Sequence, residues 1–244
     1  MDGVRYPILE LRQYTLRPGQ RDVLVDLFDR EFVETQEAAG MAIVGQFRDL
    51  ARPDRFVWLR GFTDMARRAQ ALTSFYGGPV WKVHSAQARA TMIDSDDVLL
   101  LRPVDACSGF PPAADGRPQV GHTALPPSRV LATICHRDKR FDEAFAGFFD
   151  RQVRPALAQA GAAPLACFQT EHAENTFPAL PVRTGENAFV WFTRFPSQAC
   201  LNGHLDWLKQ PGHWQRDMLP ALTATLAAAP QQLQLAPTAR SLLR

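Results

Sequence analysis

The chain has 244 residues, of which 46% are hydrophobic and 21% charged, and its 27 basic and 25 acidic residues leave a net charge of +2. This composition is typical of a folded globular protein and argues against a disordered chain, and the length suits one large domain or two ordinary ones. The charges are scattered along the sequence. Proteins that bind nucleic acids concentrate basic residues on one face, so we expect no nucleic-acid partner.

Targeting signals and membrane spans are not visible in the sequence. The N-terminal stretch has neither a long apolar segment nor an Arg- and Ser-rich amphipathic one, so it predicts neither secretion nor import into an organelle. Apolar runs all fall short of the roughly 18 residues that a membrane span needs. We expect a cytoplasmic location without a membrane partner.

The first predicted elements are a strand and a helix. "ILELRQYTL" at 8–16 alternates apolar and polar residues, which predicts a strand. Apolar residues then recur at spacings of three and four over 20–39, which predicts an amphipathic helix that ends at Gly40 in a left-handed cap.

The rest of the first half continues the alternation. The runs 41–47 and 55–62 are β-branched and aromatic and predict a hairpin. Thr63 or Asp64 is a suitable cap for a second helix, and a further helix begins near Pro79. "VLLLRPV" at 98–104 then predicts a closing strand, so the order is β-α-β-β-α-β, a ferredoxin-like unit.

The second half repeats the first. "FVWLRGF" at 56–62 recurs as "FVWFTRF" at 189–195, an offset of 133, whereas "FDR" at 28–30 recurs at 149–151, an offset of 121. The offset changes because the second copy carries a twelve-residue insertion within 170–187. We interpret this ordered series of matches as an internal duplication.

The duplication predicts two domains with the same fold. The segment between them is rich in Pro and Gly, which favours a connector. The predicted organisation is a first ferredoxin-like domain at 1–104, a linker at 105–128 and a second ferredoxin-like domain at 129–244.

Three segments resemble the NIPSNAP family within the dimeric α+β-barrel superfamily. They are "ELRQYTLRPGQ" at 10–20, "FVWLRGF" at 56–62 and "FYGGPVW" at 75–81. The pattern E-x-R-x-Y-x-L-x-P-G in the first segment is the most specific part, and the second copy lacks it.

The resemblance implies an α+β fold in which two antiparallel four-stranded sheets pack face to face as a barrel with helices outside. Here one chain could supply both sheets, and further association into a homo-oligomer stays open. The wider superfamily includes cofactor-free monooxygenases that act on polycyclic phenols and quinones, lactone isomerases and haem-handling enzymes, so the resemblance specifies the fold more closely than the function.

The first strand carries the main candidate site. If Leu9 and Leu11 face the helices, then Glu10, Arg12 and Tyr14 face the inside of the barrel, where a charge is costly to bury unless it is paired. Glu10 and Arg12 suit either a structural pair between the sheets or contacts to a ligand, and a guanidinium beside Tyr14 would favour the phenolate. Two pockets would not be equivalent, because the second copy changes all three residues. At the 121 offset it carries Leu131, Thr133 and Cys135.

The third strand places an arginine among aromatic residues. Trp58 and Arg60 share one strand face with two phenylalanines, and Trp191 occupies the matching face of the second copy. Aromatic stripes of this kind are more often core than ligand site. An inward Arg60 is unusual in a core, however, and would suit a planar ligand that bears oxygen atoms.

The histidines and the remaining motifs give weaker signals. His84 could border the first pocket as an acid–base group, although a surface position is the alternative, and His172 lies on the insertion, which is either a lid or a solvated loop. His204 and His213 do not have metal-ligand spacing. Signatures of nucleotide-binding loops and of α/β-hydrolases do not occur in the sequence, and we expect neither a metal nor a cofactor.

The first functional hypothesis is an enzyme whose barrel pocket binds a small aromatic, polyketide-like or quinone-like molecule for cofactor-independent monooxygenation or isomerisation. Arginines would stabilise an oxyanion, a tyrosine or histidine would move the proton, and tryptophans would form the wall. The alternative is a non-catalytic ligand-binding or assembly module, which predicts a small or dry barrel interior, and haem binding through a histidine is a third. The candidate catalytic residues are Arg12, Tyr14 and His84, and the candidate ligand contacts are Glu10, Trp58, Arg60, Trp81 and Trp191.

Overall fold

The strands of the computed structural model, which describes residues 6–112 and 116–244, form two sets of four. The first half contributes β1 (Ile8–Leu16), β2 (Ala42–Asp49), β3 (Arg55–Phe62) and β4 (Met92–Pro103). The second half contributes β5 (Arg129–Arg137), β6 (Ala166–Thr170), β7 (Asn187–Phe195) and β8 (Gln231–Pro237). All neighbouring strands are antiparallel and form one closed barrel in the order β1-β3-β2-β8-β5-β7-β6-β4.

Helices connect the strands in both halves. The first half has α1 (Arg21–Leu27), a π-helical segment (Phe28–Phe32), α2 (Val33–Ala38), α3 (Met65–Gly77) and α4 (Pro79–Thr91). The second half has α5 (Glu143–Phe148), a π-helical segment (Phe149–Val153), α6 (Arg154–Gln159), α7 (Gln198–Lys209), a third π-helical segment (Trp214–Met218) and α8 (Leu219–Thr223). Within the described ranges, none of these helices is both long and apolar enough to cross a bilayer.

Local sequence signals act as expected at the helix ends. The side chain of Asp64 accepts a hydrogen bond from the backbone N of Arg67 at 2.7 Å and so caps α3. Gly40 and Gly161, which are 121 residues apart, both have positive φ, 98° and 68°, just after the helices α2 and α6. This conformation favours glycine and ends both helices in the same way.

The two halves have the same order of strands and equivalent strand registers. Arg12 lies opposite Trp58 in the β1–β3 pair, and Thr133 lies opposite Trp191 in the β5–β7 pair. The barrel closes where β2 pairs with β8 and β4 pairs with β6, so this one chain completes the barrel without a second subunit. The predicted α+β fold and barrel are confirmed, whereas descent from a duplicated gene stays a prediction.

The interior of the barrel is filled with apolar side chains from both halves. Leu9, Leu11 and Leu59 of the first half pack there with Val130 and Phe192 of the second, all at 0% exposure. An eight-stranded barrel has an interior just wide enough for side chains to fill it. The lumen is therefore a shared hydrophobic core.

The polar face of β1 points the other way from the sequence-based expectation. Glu10, Arg12 and Tyr14 lie between the sheet and the helices, and Leu9 and Leu11 line the lumen. Strand alternation correctly groups these residues but cannot say which face is the lumen, because both faces of a closed barrel covered by helices are buried. The expectation that the lumen holds the polar residues was wrong.

Candidate functional site

A buried carboxylate surrounded by three arginines forms the centre of the first half. Oε2 of Glu10 accepts hydrogen bonds from Nη1 of Arg12 and Nε of Arg60, and Oε1 accepts one from Nε of Arg68, each at 2.7 Å. Glu10 and Arg60 are directly opposite in the β1–β3 register, and Arg68 enters from α3. We call these four residues the arginine cluster, and all four are at 0% exposure.

The charges of the arginine cluster determine its protonation states. Burial alone would raise the pKa of Glu10, but the charges of Arg60, Arg12 and Arg68 outweigh it and lower that pKa well below its usual range. Burial would lower the pKa of Arg12, but Tyr14 and Glu10 outweigh it and raise that pKa. Glu10 and Arg12 therefore stay ionised at neutral pH.

The arginine cluster carries more positive charge than its contacts balance. Three guanidinium groups share one carboxylate, and among residues 6–112 and 116–244 no second acidic side chain makes an ion pair with them. Nη2 of Arg60, Nη2 of Arg68 and the indole Nε1 of Trp58 are buried without a hydrogen-bond partner in that part of the chain. An unpaired buried donor costs about 1–3 kcal/mol, so an anion placed beside these groups would be stabilised.

Aromatic and polar side chains connect the arginine cluster to a small cavity in the sheet–helix cleft. The cavity has a volume of about 30 Å³, and Tyr14, Tyr76 and Gln36 line it. The hydroxyl of Tyr14 accepts from Nε of Arg12 at 3.1 Å, and Nη1 of Arg60 donates to both Tyr76 and Gln36 at 3.4 Å. We call the space between this sheet and its helices the first-half cleft. Its cavity has the volume of about one water molecule.

Tyr14 is a neutral phenol in this environment. Burial raises its pKa, and the opposing effect of Arg12 is smaller. The neighbouring guanidinium favours the phenolate, as the sequence predicted, but the desolvation of the hydroxyl is the larger effect and keeps the phenol protonated. Tyr14 can donate a hydrogen bond to a ligand while its oxygen accepts one from Arg12.

The insertion of the second half closes over the first-half cleft. Residues 171–186, which we call the strap, run beside β4 between β6 and β7. Oδ1 of Asn175 accepts a hydrogen bond from Nη1 of Arg68 at 2.9 Å. The ring of Phe177 stacks on Tyr76 with 6.0 Å between centroids and 27° between planes. The strap therefore covers the site, whereas His172, which it carries, is exposed.

The structure gathers most of the candidate site residues and separates two. Trp58 and Trp81 line the first-half cleft with Tyr14. His84 does not line the cavity: its ring packs edge-on against Phe32, which does, and its Nε2 is 3.7 Å from Oε2 of Glu31. Trp191 lies in the second half, where it lines a different cavity.

Sequence reasoning missed Arg68, Tyr76 and Asn175. A signal for Arg68 existed, because it sits on the same face of α3 as Leu72 and Phe75, the apolar face of an amphipathic helix. A charged residue at such a position needs a buried partner. Asn175 comes from the insertion and had no comparable signal.

Groups of three or more His, Cys, Asp or Glu residues that could hold a metal ion do not occur within 6–112 and 116–244. The polar atoms of the arginine cluster belong mainly to guanidinium groups, which carry a positive charge and only donate hydrogen bonds. The cluster thus suits an anion.

The closed eight-stranded sheet with helices outside defines this molecule as an α+β barrel of the dimeric-barrel class, with both halves in one chain. The NIPSNAP family profile matches residues 9–108, which confirms the sequence resemblance in the first half of the chain. A search of curated proteins gives no match.

Two solved structures share the fold over nearly the whole chain. A candidate monooxygenase from Fusobacterium nucleatum subsp. nucleatum has 10% identity and a TM-score of 0.57, with 96% of this chain and 93% of that one covered. Another from Lactobacillus acidophilus has 12% identity and a TM-score of 0.50, with 96% and 94% covered. A NIPSNAP-like domain protein from Burkholderia xenovorans has 24% identity and a TM-score of 0.39 over 43% of this chain and 91% of that one.

Proposed function

We propose that the first-half cleft binds a planar aromatic compound of the polyketide or quinone type through an acidic or enolisable oxygen. The observation that carries this proposal is the excess of buried positive charge in the arginine cluster. Removing guanidinium groups from water is costly, and an anionic ligand would offset that cost by pairing with them. Trp58 and Trp81 provide the apolar surface for the rings.

The same charges give the site a chemical role. Positive charge beside a phenol or enol lowers the pKa of that group, so the ligand would release its proton to water on binding and sit as a phenolate or enolate beside Arg12 and Arg60. Hydrogen bonds from pre-oriented donors would stabilise the oxyanion. Tyr14, as a neutral phenol, would donate one of them.

An enolate is the reactant for both reactions that the superfamily resemblance implies. Its carbon can add molecular oxygen, which begins a monooxygenation, or it can take a proton at another carbon, which is an isomerisation. Two structures of the same fold are described as candidate monooxygenases, which supports testing oxygenation first. His84 has no part in this scheme, because it does not line the cavity and its imidazole contacts Glu31 instead.

Binding requires the strap to move. The cavity of about 30 Å³ beside Tyr14 is too small for an aromatic ring, and Asn175 and Phe177 occupy the space next to Arg68 and Tyr76. The first-half cleft as described is thus the closed form. Ligand entry would exchange the contacts of the strap for contacts to the ligand.

One observation favours the non-catalytic alternative. The barrel interior is small and apolar, as expected for a binding or assembly module. In that case the first-half cleft would hold an anionic aromatic ligand without converting it. Further association of the barrel is compatible with either function.

The experiment measures oxygen uptake and product formation with a panel of phenols and hydroquinones, together with calorimetric binding of 1-naphthoate. We expect turnover by the wild-type chain and its loss in Arg12→Gln/Tyr14→Phe. The matched control is Thr133→Val/Cys135→Ala, which changes the equivalent positions of the second half and should leave turnover unchanged. Turnover that survives in Arg12→Gln/Tyr14→Phe contradicts the enzymatic proposal, and 1-naphthoate binding without turnover identifies the non-catalytic module.

A further inference from the structure

The second half contains a cavity of about 200 Å³ in its own sheet–helix cleft. Thr133 and Trp191 line it from the sheet, and His204, Leu208 and Trp214 line it from the helical side. Thr133 and Trp191 occupy the positions that Arg12 and Trp58 hold in the first half, at offsets of 121 and 133. This second-half cavity is therefore the counterpart of the first-half cleft.

The second-half cavity is larger because its side chains are smaller. Thr133 replaces Arg12, and Leu208 replaces Phe75 at the 133 offset. The stacking surface is kept, since Trp214 matches Trp81 at the same offset. The difference leaves room for about 200 Å³ where the first half has about 30 Å³.

The second half has also lost the charges of the arginine cluster. Two of the residues at the equivalent positions, Leu131 and Leu201, pack in a small apolar group, and Leu131 also lines the cavity. Lys209 lies at the rim with its side chain 78% exposed and its ammonium 3.8 Å from Asp206. The residues that replace Glu10, Arg60 and Arg68 are Leu131, Thr193 and Leu201.

A buried histidine supplies a polar group to this apolar site. His204 is 5% exposed, and its Nδ1 has no hydrogen-bond partner within the described ranges. Burial lowers the pKa of His204, so the ring is neutral at neutral pH and offers one donor and one acceptor. The unmet hydrogen bond favours a ligand with a matching polar group.

We propose that the second-half cavity binds an uncharged aromatic compound of one or two rings that bears one hydroxyl or carbonyl group. The rings pack against Trp191 and Trp214, and the polar group bonds to His204. The size is suitable because an apolar cavity of about 150 Å³ holds benzene. An anion is disfavoured because the cavity wall lacks the buried guanidinium groups of the first half.

The test uses calorimetric titration of the full chain with 1-naphthol and with 1-naphthoate, two compounds of the same ring size and different charge. In Arg12→Gln/Tyr14→Phe, which disables the first-half cleft, 1-naphthol should still bind at one site, the second-half cavity. Leu208→Trp fills the second-half cavity and should abolish this binding. His204→Phe keeps an aromatic side chain but removes the ring nitrogen that bonds to the ligand. It should weaken 1-naphthol binding about three- to tenfold. Circular dichroism confirms that each variant is folded.

A matched pair of variants locates the ligand. Trp58→Phe and Trp191→Phe remove equivalent tryptophans from the two halves. The fluorescence change on adding 1-naphthol should persist in Trp58→Phe and decrease strongly in Trp191→Phe.

Three results would overturn the proposal: no 1-naphthol binding by the wild-type chain, unchanged binding in both His204→Phe and folded Leu208→Trp, or equal affinity of this cavity for 1-naphthoate. The two halves can fail independently, because Arg12→Gln/Tyr14→Phe tests only the first-half cleft.

Discussion

Oε1 of Glu10 accepts a hydrogen bond from Nε of Arg68 at 2.7 Å, and both side chains are fully buried although 58 residues of sequence separate them. This contact joins β1 to α3 across the first-half cleft. Because Glu10 is the only carboxylate that contacts the arginines in the described part of the chain, it holds together the strand, the helix and the site.

Glu10→Gln should destabilise the protein strongly. The substitution keeps the shape of the side chain but leaves three buried guanidinium groups without their negative partner, and breaking a buried ion pair costs about 3–5 kcal/mol. Denaturant unfolding measures the loss. Asp22→Asn breaks the more exposed pair with Arg48 and should change the free energy of unfolding by less than about 1 kcal/mol. Equal effects of the two substitutions would show that Glu10 does not hold the cluster.

The contribution of Glu10 should disappear in acid. Its pKa is lowered in the folded protein, whereas an unfolded glutamate has a pKa of about 4.3. The stabilisation is thus fully present above about pH 5 and decreases as the pH falls towards the folded pKa. The difference in unfolding free energy between the wild type and Glu10→Gln should shrink by about 1.4 kcal/mol per pH unit below about pH 4. A difference that stays constant down to pH 2 would contradict the lowered pKa.

Most of the fold could be predicted from the sequence because its signals are local. The strand alternation at 8–16, the cap at Asp64 and the glycine at Gly40 each act within a few residues, and the structure confirms all three. The repeated pattern "FVWLRGF" also predicted that the two halves pair their strands alike.

The site was predictable only in part because its arrangement depends on distant contacts. The sequence grouped Glu10, Arg12 and Tyr14 on one face of β1. It could not show that this face meets the helices, because the closure of the barrel determines which face becomes the lumen. The bond between Arg68 and Asn175 joins residues 107 positions apart, and no local pattern encodes it.

Phe177→Ala should open the strap more often. The substitution removes the stack on Tyr76, and an aromatic pair of this kind contributes about 0.5–1.5 kcal/mol, so the rate of 1-naphthoate binding should rise about three- to tenfold. Stopped-flow tryptophan fluorescence measures the rate. Glu174→Ala, at an exposed position of the same strap, should leave it unchanged. An unchanged rate in Phe177→Ala would mean that the ligand enters by another route.

The second half itself suggests how to remove the charges of the first. Glu10→Leu, Arg12→Thr, Arg60→Thr and Arg68→Leu together install the residues that the second half carries at the equivalent positions. Removing a complete buried ionic group leaves no charge unpaired, and such replacements are often neutral or stabilising. This four-residue variant should therefore fold and should lose less stability than Glu10→Gln.

Calorimetry on the four-residue variant then separates charge from shape. Binding of 1-naphthoate should be lost, because the positive charge that attracts it is gone. 1-Naphthol should bind at two sites, because the smaller side chains enlarge the first-half cleft beside Trp58. Retained 1-naphthoate binding in the folded variant would show that the arginine cluster does not form the anion site.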